Sequence, residues 1–179
     1  MNKDISTVLF TEREIADKVS ELGAQIRKEY ADEEQYVVVT VLKGSYIFSA
    51  DLVRQLDTNA VIDFITASSY DGTQSTGVIR ILQDIREDIT GKRVILVEDI
   101  VDTGRTLAAL KKDFIERGAK DVKICTCLDK NAARVIDVET DFSCFEIGDQ
   151  FVVGYGLDYN EKYRGLPYIG ILKSDVYNV

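Results

Sequence analysis

Val94-Ile-Leu-Val-Glu-Asp-Ile-Val-Asp-Thr-Gly-Arg-Thr-Leu107 is an apolar run that stops on two carboxylates, crosses a short acidic turn containing a glycine, and opens a new helix. In an open parallel α/β sheet, ligands sit beyond the carboxyl ends of the strands, which is where Glu98 to Thr106 falls. Asp102-Thr-Gly-Arg-Thr106 supplies successive backbone N–H groups, a glycine for close approach, two hydroxyls and a helix N-terminus, all favourable to a phosphate. Taken alone, the turn reads more simply as a strand-to-helix connection with Asp or Thr as N-cap. The trio Glu98, Asp99 and Asp102 changes that balance. Three acids crowded together repel one another and any phosphate unless Mg²⁺ or sugar hydroxyls lie between them, and a purely structural turn has no need of them. No Gly-Lys-Ser/Thr follows the turn and no Gly-x-Gly-x-x-Gly exists, which excludes a Walker loop and a dinucleotide fingerprint.

Outward from this stretch the chain alternates strands and helices. Thr11 followed by Glu14 is a capping-box signature, and Ile15, Val19, Leu22 and Ile26 recur at helical spacing, predicting a helix from about Glu12 to Tyr30. Tyr36 to Leu42 is short, β-branched and nearly continuously apolar, as in a strand covered on both faces. Lys43-Gly44-Ser45 breaks it and starts a second helix to about Leu56. Strands are expected at Ala60–Thr66, Val78–Leu82, Arg93–Asp99 and Val122–Leu128, with a helix from Thr106 to Arg117 closed by Gly118. Between the first two of these strands lies the polar stretch 67–77, either a hairpin end or a mobile flap. Short apolar runs at Phe151–Val153 and Tyr168–Leu172 suggest small strands at an edge or on a lid. The fold class is therefore α/β, a central parallel sheet flanked by helices. At 179 residues the whole chain, 1–179, is expected to be one domain, long enough to bury roughly 70% of its unfolded surface.

Composition narrows the function classes. A net charge of -9 disfavours an extended grip on nucleic acid, where neutralised phosphates supply most of the affinity. No apolar stretch approaches the roughly 18 residues of a membrane span, and no signal-peptide core is present, so no membrane association and a cytoplasmic location are expected. Cys125, Cys127 and Cys144 are an odd set. The first two alternate along an apolar run and read as small core hydrophobes rather than a metal or redox pair. There is no histidine, so any general acid or base must be Asp, Glu, Lys, Tyr or Cys.

Val97-Glu-Asp-Ile-Val-Asp-Thr-Gly-Arg-Thr106 resembles the phosphoribosyl-pyrophosphate (PRPP) signature of type I phosphoribosyltransferases. Leu42-Lys-Gly-Ser45, Ser69-Tyr70, Asp129-Lys130, Phe151-Val-Val-Gly-Tyr155 and Leu157-Asp-Tyr-Asn-Glu161 followed by Arg164 resemble, in order and spacing, hypoxanthine-guanine phosphoribosyltransferases of the bacterial type. The likeness covers nearly the whole chain. It implies a small hood built from the terminal segments and a flexible loop near 67–78. It also implies a Mg²⁺-dependent transfer of the phosphoribosyl group from PRPP to hypoxanthine or guanine, giving IMP or GMP plus pyrophosphate, in a homodimer or homotetramer.

The same resemblance assigns roles. Asp102 would be the catalytic residue, taking or hydrogen-bonding the N7 proton of the purine. Glu98 and Asp99 would hold the ribose hydroxyls and, directly or through water, Mg²⁺. Thr103, Gly104, Arg105 and Thr106 would cradle the 5′-phosphate. Lys43 and Gly44 match a pyrophosphate loop with a non-proline cis peptide, and Arg164 would clamp pyrophosphate from the other side. Lys130 would donate to the purine O6, which adenine replaces with an amine. Phe151 would stack on the ring, the Val152 backbone would read its edge, and Asp158 would coordinate a second Mg²⁺ with its main chain near the 2-position. Ser69 and Tyr70 would cap a closing loop that excludes water. Without the resemblance, Lys130, Arg164 and Asp158 read as exposed surface charges and Phe151–Val152 as core residues. An alternative is a PRPP-sensing regulator of the same fold that binds nucleic acid, against which the net charge and the full set of purine-side residues weigh.

Overall fold

The alternation of strand and helix appears in the computed structural model, which describes residues 2–69 and 79–177. In chain order the elements are β1 (Ile5–Phe10), α1 (Glu12–Glu29), β2 (Tyr36–Leu42), α2 (Tyr46–Val53), β3 (Ala60–Ser69), β4 (Ile79–Gln83), β5 (Arg93–Val101), α3 (Arg105–Glu116), β6 (Asp121–Asp129), a 3-10 turn at Asn131–Ala133, β7 (Phe142–Glu146), β8 (Val152–Val153), β9 (Ile169–Leu172) and a single turn of helix, α4 (Ser174–Tyr177). The main sheet runs β4-β3-β2-β5-β6-β7 and a three-stranded sheet runs β1-β9-β8. The small sheet joins the N-terminal strand to two strands from the far end of the chain, which is the hood expected of the terminal segments.

In the main sheet β3, β2, β5, β6 and β7 are parallel, and only β4 is antiparallel, returning from β3 as a hairpin. The sheet is thus mixed at one edge. The hairpin resolves the two readings of residues 67–77 in part: β3 and β4 pair as far as Ser69 with Ile79. Tyr70 and the rest of the expected flap lie outside the described residues.

Period-two alternation explains why both faces are covered. In β2, Tyr36 and Val38 enter a core shared with α1, α2 and the hood, while Val37, Val39 and Val41 enter a second core beneath α3. Strand β6 does the same, with Cys125 and Cys127 on the first face and Val122 and Ile124 on the second. All three cysteines are buried and free, as core packing requires. Helix α1 starts where the sequence places it: the Thr11 side chain accepts the Glu14 N–H and the Glu14 carboxylate reaches back to the Thr11 N–H at 2.8 Å. Acids in its first turn and Arg27 and Lys28 in its last complement the helix dipole. Strands β1 and β7 were not assigned from sequence, because each is a short run interrupted by exposed polar residues.

At the end of the sheet away from the β5–α3 turn, Tyr30 and Tyr36 pack ring against ring, centroids 4.5 Å apart, with the Arg93 guanidinium over Tyr30. Both hydroxyls are buried without a hydrogen-bond partner among the described residues. Burial pushes the Tyr36 phenol up to about 12, above the value near ~10 of an unfolded tyrosine. The stability that comes from keeping this phenol neutral is therefore complete below pH ~10 and is lost as pH rises from there towards the folded value. Tyr36→Phe should leave the thermal midpoint at pH 7 unchanged or raised, by up to about 1 kcal/mol, and should move the midpoint of alkaline unfolding upward. Circular dichroism across a pH series measures both; a variant that unfolds at lower pH than the parent contradicts the assignment.

Candidate active site

Strands β2, β5 and β6 are neighbours and parallel, so the residues that follow them fall at one edge of the sheet. That edge carries Lys43-Gly44 after β2, Glu98 to Thr106 at the end of β5, and Lys130 after β6. The placement follows from topology alone.

The β5–α3 turn forms a cavity of about 120 Å³ lined by Glu98 and by Ile100 through Leu107. Gly104 sits at its base with φ +79, a left-handed conformation that glycine adopts without penalty. A Cβ there would lie 2.5 Å from Val138 Cγ1, so the position is closed to side chains on two grounds. The Gly104 carbonyl accepts the Ala108 N–H at 2.9 Å, which sets the first turn of α3 and leaves the N–H groups ahead of it directed at the cavity. Behind the turn, the Thr103 carbonyl accepts the N–H groups of both Val135 and Ile136 at 3.1 Å. Asp102, Thr103 and Arg105 are exposed, as groups meeting a ligand need to be.

Glu98 and Asp99 stand side by side. The Asp99 N–H donates to Glu98 Oε1 at 3.1 Å and the Ile100 N–H to Asp99 Oδ1 at 2.9 Å. Burial, and then the neighbouring Asp99 charge, pushes the Glu98 carboxyl well above the usual carboxylate range. Crowding of this kind is relieved by a divalent cation or by donor hydroxyls, and the donors are hard oxygens of the sort Mg²⁺ takes. The pair therefore fits the metal and ribose functions expected of it. Among the described residues no three acidic, cysteine or histidine side chains converge on one point, so Asp158 belongs to a separate position.

The loop after β2 approaches this pair closely. The Leu42–Lys43 peptide is cis. A Cβ on Gly44 would lie 1.8 Å from Asp99 Oδ2, and a Cβ on Gly156 would lie 2.0 Å from the Gly44 carbonyl oxygen. Gly44 is thus held between a site carboxylate and a hood turn. Arg164 locks that turn: its Nη1 donates to the Gly156 carbonyl at 2.8 Å, and the Gly156 N–H donates to the Arg164 carbonyl at 3.0 Å. Arg164 Nη2 lies 2.8 Å from Asp158 Oδ1, and its Nε is buried with no partner among the described residues. Lys43 and Arg164, far apart in sequence, meet the same carboxylate, Glu161 Oε2, at 2.9 and 3.4 Å.

Lys130 is anchored by its backbone N–H to the Val101 carbonyl at 3.0 Å, and its ammonium lies 2.8 Å from the exposed Asp149 carboxylate. Val152 is buried and paired to Ile171 in the hood sheet. Phe151 is 39% exposed, so its core reading fails. Its ring stacks on Tyr177 at 4.9 Å and meets Tyr159 edge-on at 5.7 Å. Ser69 ends β3, and Tyr70 lies outside the described residues.

Several participants carried no sequence signal of their own. Gly156 is required by its left-handed φ of 103 and by the approach of Gly44, a contact between distant segments. Asp149 looks like an ordinary surface acid, and Glu161 and Asp129 stand within quoted motifs without a role of their own; Asp129 forms a buried pair with Arg134 that braces the loop carrying Lys130. A larger cavity, of about 410 Å³, lies between α1, α2, Tyr155 and residues 165–167 and shares no lining residue with the cradle. It holds none of the carboxylates or cations described above, and we place the chemistry at the strand ends, where those groups gather.

Comparison with known proteins gives the family. Residues 7–160 match the phosphoribosyl transferase domain family. The chain is 51% identical to a hypoxanthine-guanine phosphoribosyltransferase of Streptococcus pneumoniae, over 99% of both proteins. It superposes on the crystal structure of a Staphylococcus aureus hypoxanthine phosphoribosyltransferase with a TM-score of 0.93 and 45% identity, covering 97% of this chain and 95% of that one. A hypoxanthine-guanine phosphoribosyltransferase of Bacillus anthracis gives a TM-score of 0.87 at 45% identity, covering 94% and 99%. With a family match across most of its length and about half of its residues identical to a full-length relative, the chain belongs to the phosphoribosyltransferase family.

Proposed function

We propose that this chain transfers the 5-phosphoribosyl group of PRPP to hypoxanthine or guanine, releasing pyrophosphate and forming IMP or GMP. The observation that carries the reading is the meeting of three segments at one strand edge. The β5–α3 turn offers a phosphate cradle, the Lys43–Gly44 loop lies against its carboxylates, and the 151–164 hood closes over that loop.

Catalysis in such a site is chiefly charge placement. The bond from C1 of the ribose to pyrophosphate breaks as a purine nitrogen bonds to the same carbon, and the transition state carries positive charge on the sugar. Glu98 and Asp99 hold the ribose hydroxyls and offset that charge from one face. Thr103, Gly104, Arg105 and Thr106 fix the 5′-phosphate through backbone N–H groups at the start of α3 and two hydroxyls, which orients the sugar. Lys43 and Arg164 receive the negative charge that develops on the departing pyrophosphate, Arg164 through its planar fork of donors. Asp102, exposed at the mouth of the turn, takes or hydrogen-bonds the N7 proton of the purine. Glu98 and Asp99 would hold one Mg²⁺, directly or through water, and Asp158 a second; the metal would supply neutralisation of the pyrophosphate charge.

On the purine side Lys130 donates to O6, Phe151 offers a ring face and the Val152 backbone reads the base edge. A partly buried ammonium donating to O6 favours 6-oxopurines over adenine, since adenine leaves that ammonium facing an amine. Ser69 and Tyr70 belong to the segment proposed to exclude water.

Release of pyrophosphate from PRPP and Mg²⁺, assayed with hypoxanthine, guanine, xanthine and adenine in turn, tests the reading; turnover is expected with the first two, and adenine as the preferred base would overturn it. Asp102→Asn should lower turnover by about 10²–10⁴-fold, the range for losing a general base, while PRPP still binds by calorimetry. Full activity in that variant would remove Asp102 from its role. Gly44→Ala should abolish measurable turnover, because its methyl group and the Asp99 carboxylate cannot share one space. Retained pyrophosphate release would show that the loop moves aside at little cost.

A further inference from the structure

One carboxylate in the site has no task in the scheme above. Glu161 Oε2 lies 2.9 Å from Lys43 Nζ and 3.4 Å from Arg164 Nη2, so a single anionic oxygen is shared by two cations delivered from separate loops. From this geometry we infer that Glu161 is a built-in stand-in for pyrophosphate, occupying the place between Lys43 and Arg164 until the substrate's own oxygens displace it. The inference rests on Lys43 and Arg164 being the pyrophosphate-binding pair.

The two cations differ in how they are held. Arg164 is 18% exposed and keeps its Gly156 and Asp158 contacts whether or not Glu161 is present. The Lys43 and Glu161 side chains are 64% and 65% exposed among the described residues. Exposed ion pairs are weak, because water solvates both partners and the side chains lose freedom in pairing. A polyanion such as pyrophosphate therefore displaces this carboxylate easily and without moving the arginine.

The backbone is arranged to present it. Asn160, Glu161 and Tyr163 have φ of 50, 60 and 73, values L-residues rarely adopt. The turn is pinned by Asp158 Oδ2, which accepts the Glu161 N–H at 2.8 Å, while Asp158 Oδ1 takes Arg164. Asp158 thus sets both the guanidinium and the residue that covers it. Neutralised in this way, the two cations of the free protein are neither bare to other anions nor repelling each other. Once displaced, the carboxylate remains beside bound pyrophosphate as a like charge that favours its departure.

The test is pyrophosphate binding to the full chain in Mg²⁺, by titration calorimetry, with folding checked by thermal unfolding. Glu161→Gln should bind pyrophosphate about three- to tenfold more tightly at low salt, the range for releasing one or two exposed pairs, and should lower KM for PRPP in proportion. Glu161→Asp keeps the charge but is one methylene too short to reach both cations, so it should behave like Glu161→Gln. Tighter binding in Glu161→Gln with parental binding in Glu161→Asp would reduce the effect to local charge and overturn the stand-in. Unchanged or weaker binding in both would overturn it as well, the weaker case making Glu161 a prop for the cations. Lys43→Ala and Arg164→Ala separate the two levels of the reading: if neither weakens pyrophosphate binding, the pyrophosphate site itself fails and the inference falls with it.

Discussion

The contact on which the site depends is a backbone contact. Gly44 passes so near Asp99 that a Cβ would occupy the carboxylate's own position, and Gly156 passes equally near Gly44 from the other side. Because close packing leaves no slack for a side chain at either place, three segments are held in fixed relation. Strand β5 brings the carboxylates, the loop after β2 brings Lys43, and the hood brings Arg164 and Asp158. Hydrogen bonds in both directions between Arg164 and Gly156 then tie the hood turn to the arginine that projects from it. Movement of the hood therefore carries Arg164 and the wall behind Gly44 together.

Charge follows the same plan. Three of the cations assigned to ligands have acidic partners: Lys130 has Asp149, Lys43 has Glu161, and Arg164 has Asp158 and Glu161. Asp149 and Glu161 are exposed, and their pairs with the cations are cheap to break. The acids at the end of β5 are arranged in the opposite way. Glu98 and Asp99 are pressed together with burial opposing their charges, so that site gains by taking in a cation or hydroxyl donors. Anion-binding groups are neutralised by detachable partners, and cation-binding groups are left in mutual repulsion. Both arrangements lower the cost of admitting a charged ligand into a protein of net charge -9.

What was readable in the sequence is what is local. The capping box at Thr11 and Glu14, the continuous apolarity of β2 and the strand–turn–helix at Glu98 to Thr106 are set by residues within one or two turns of each other. They appear in the fold with shifts of a residue or two at their ends. Because parallel neighbours bring their carboxyl ends to one edge, those local readings were also enough to place Lys43, Glu98 and Lys130 together. The hood was legible only as short apolar runs, since β8 has two residues and borrows its pairing from β9, which in turn pairs with β1 near the start of the chain. Strand β7 was missed because Ser143 and Glu146 break its apolar pattern, and β4 carries no mark of its reversed direction. Gly156 could not be singled out, and Glu161 stood in a motif without a role, because their meaning lies in contacts with Lys43 and Gly44.

This division bears on where selectivity can change. The phosphate turn is fixed from within, by Gly104, the Ala108 N–H and the core beneath α3, and it makes few demands on distant residues. The purine side is assembled from pieces that do not share an element: Lys130 after β6, Phe151 and Val152 in the hood, and Tyr177 and Tyr159 against the Phe151 ring. A shift of the hood changes the distance from Phe151 and Val152 to a base while leaving the cradle untouched. On the proposed function, recognition of the sugar phosphate is built into one strand–helix junction, whereas recognition of the base depends on how the two sheets meet. Substitutions in the interface between β8, β9 and the core beneath α1 and α2 should therefore act on the choice of base and, through Arg164 and Gly156, on the pyrophosphate side, while leaving the 5′-phosphate cradle in place.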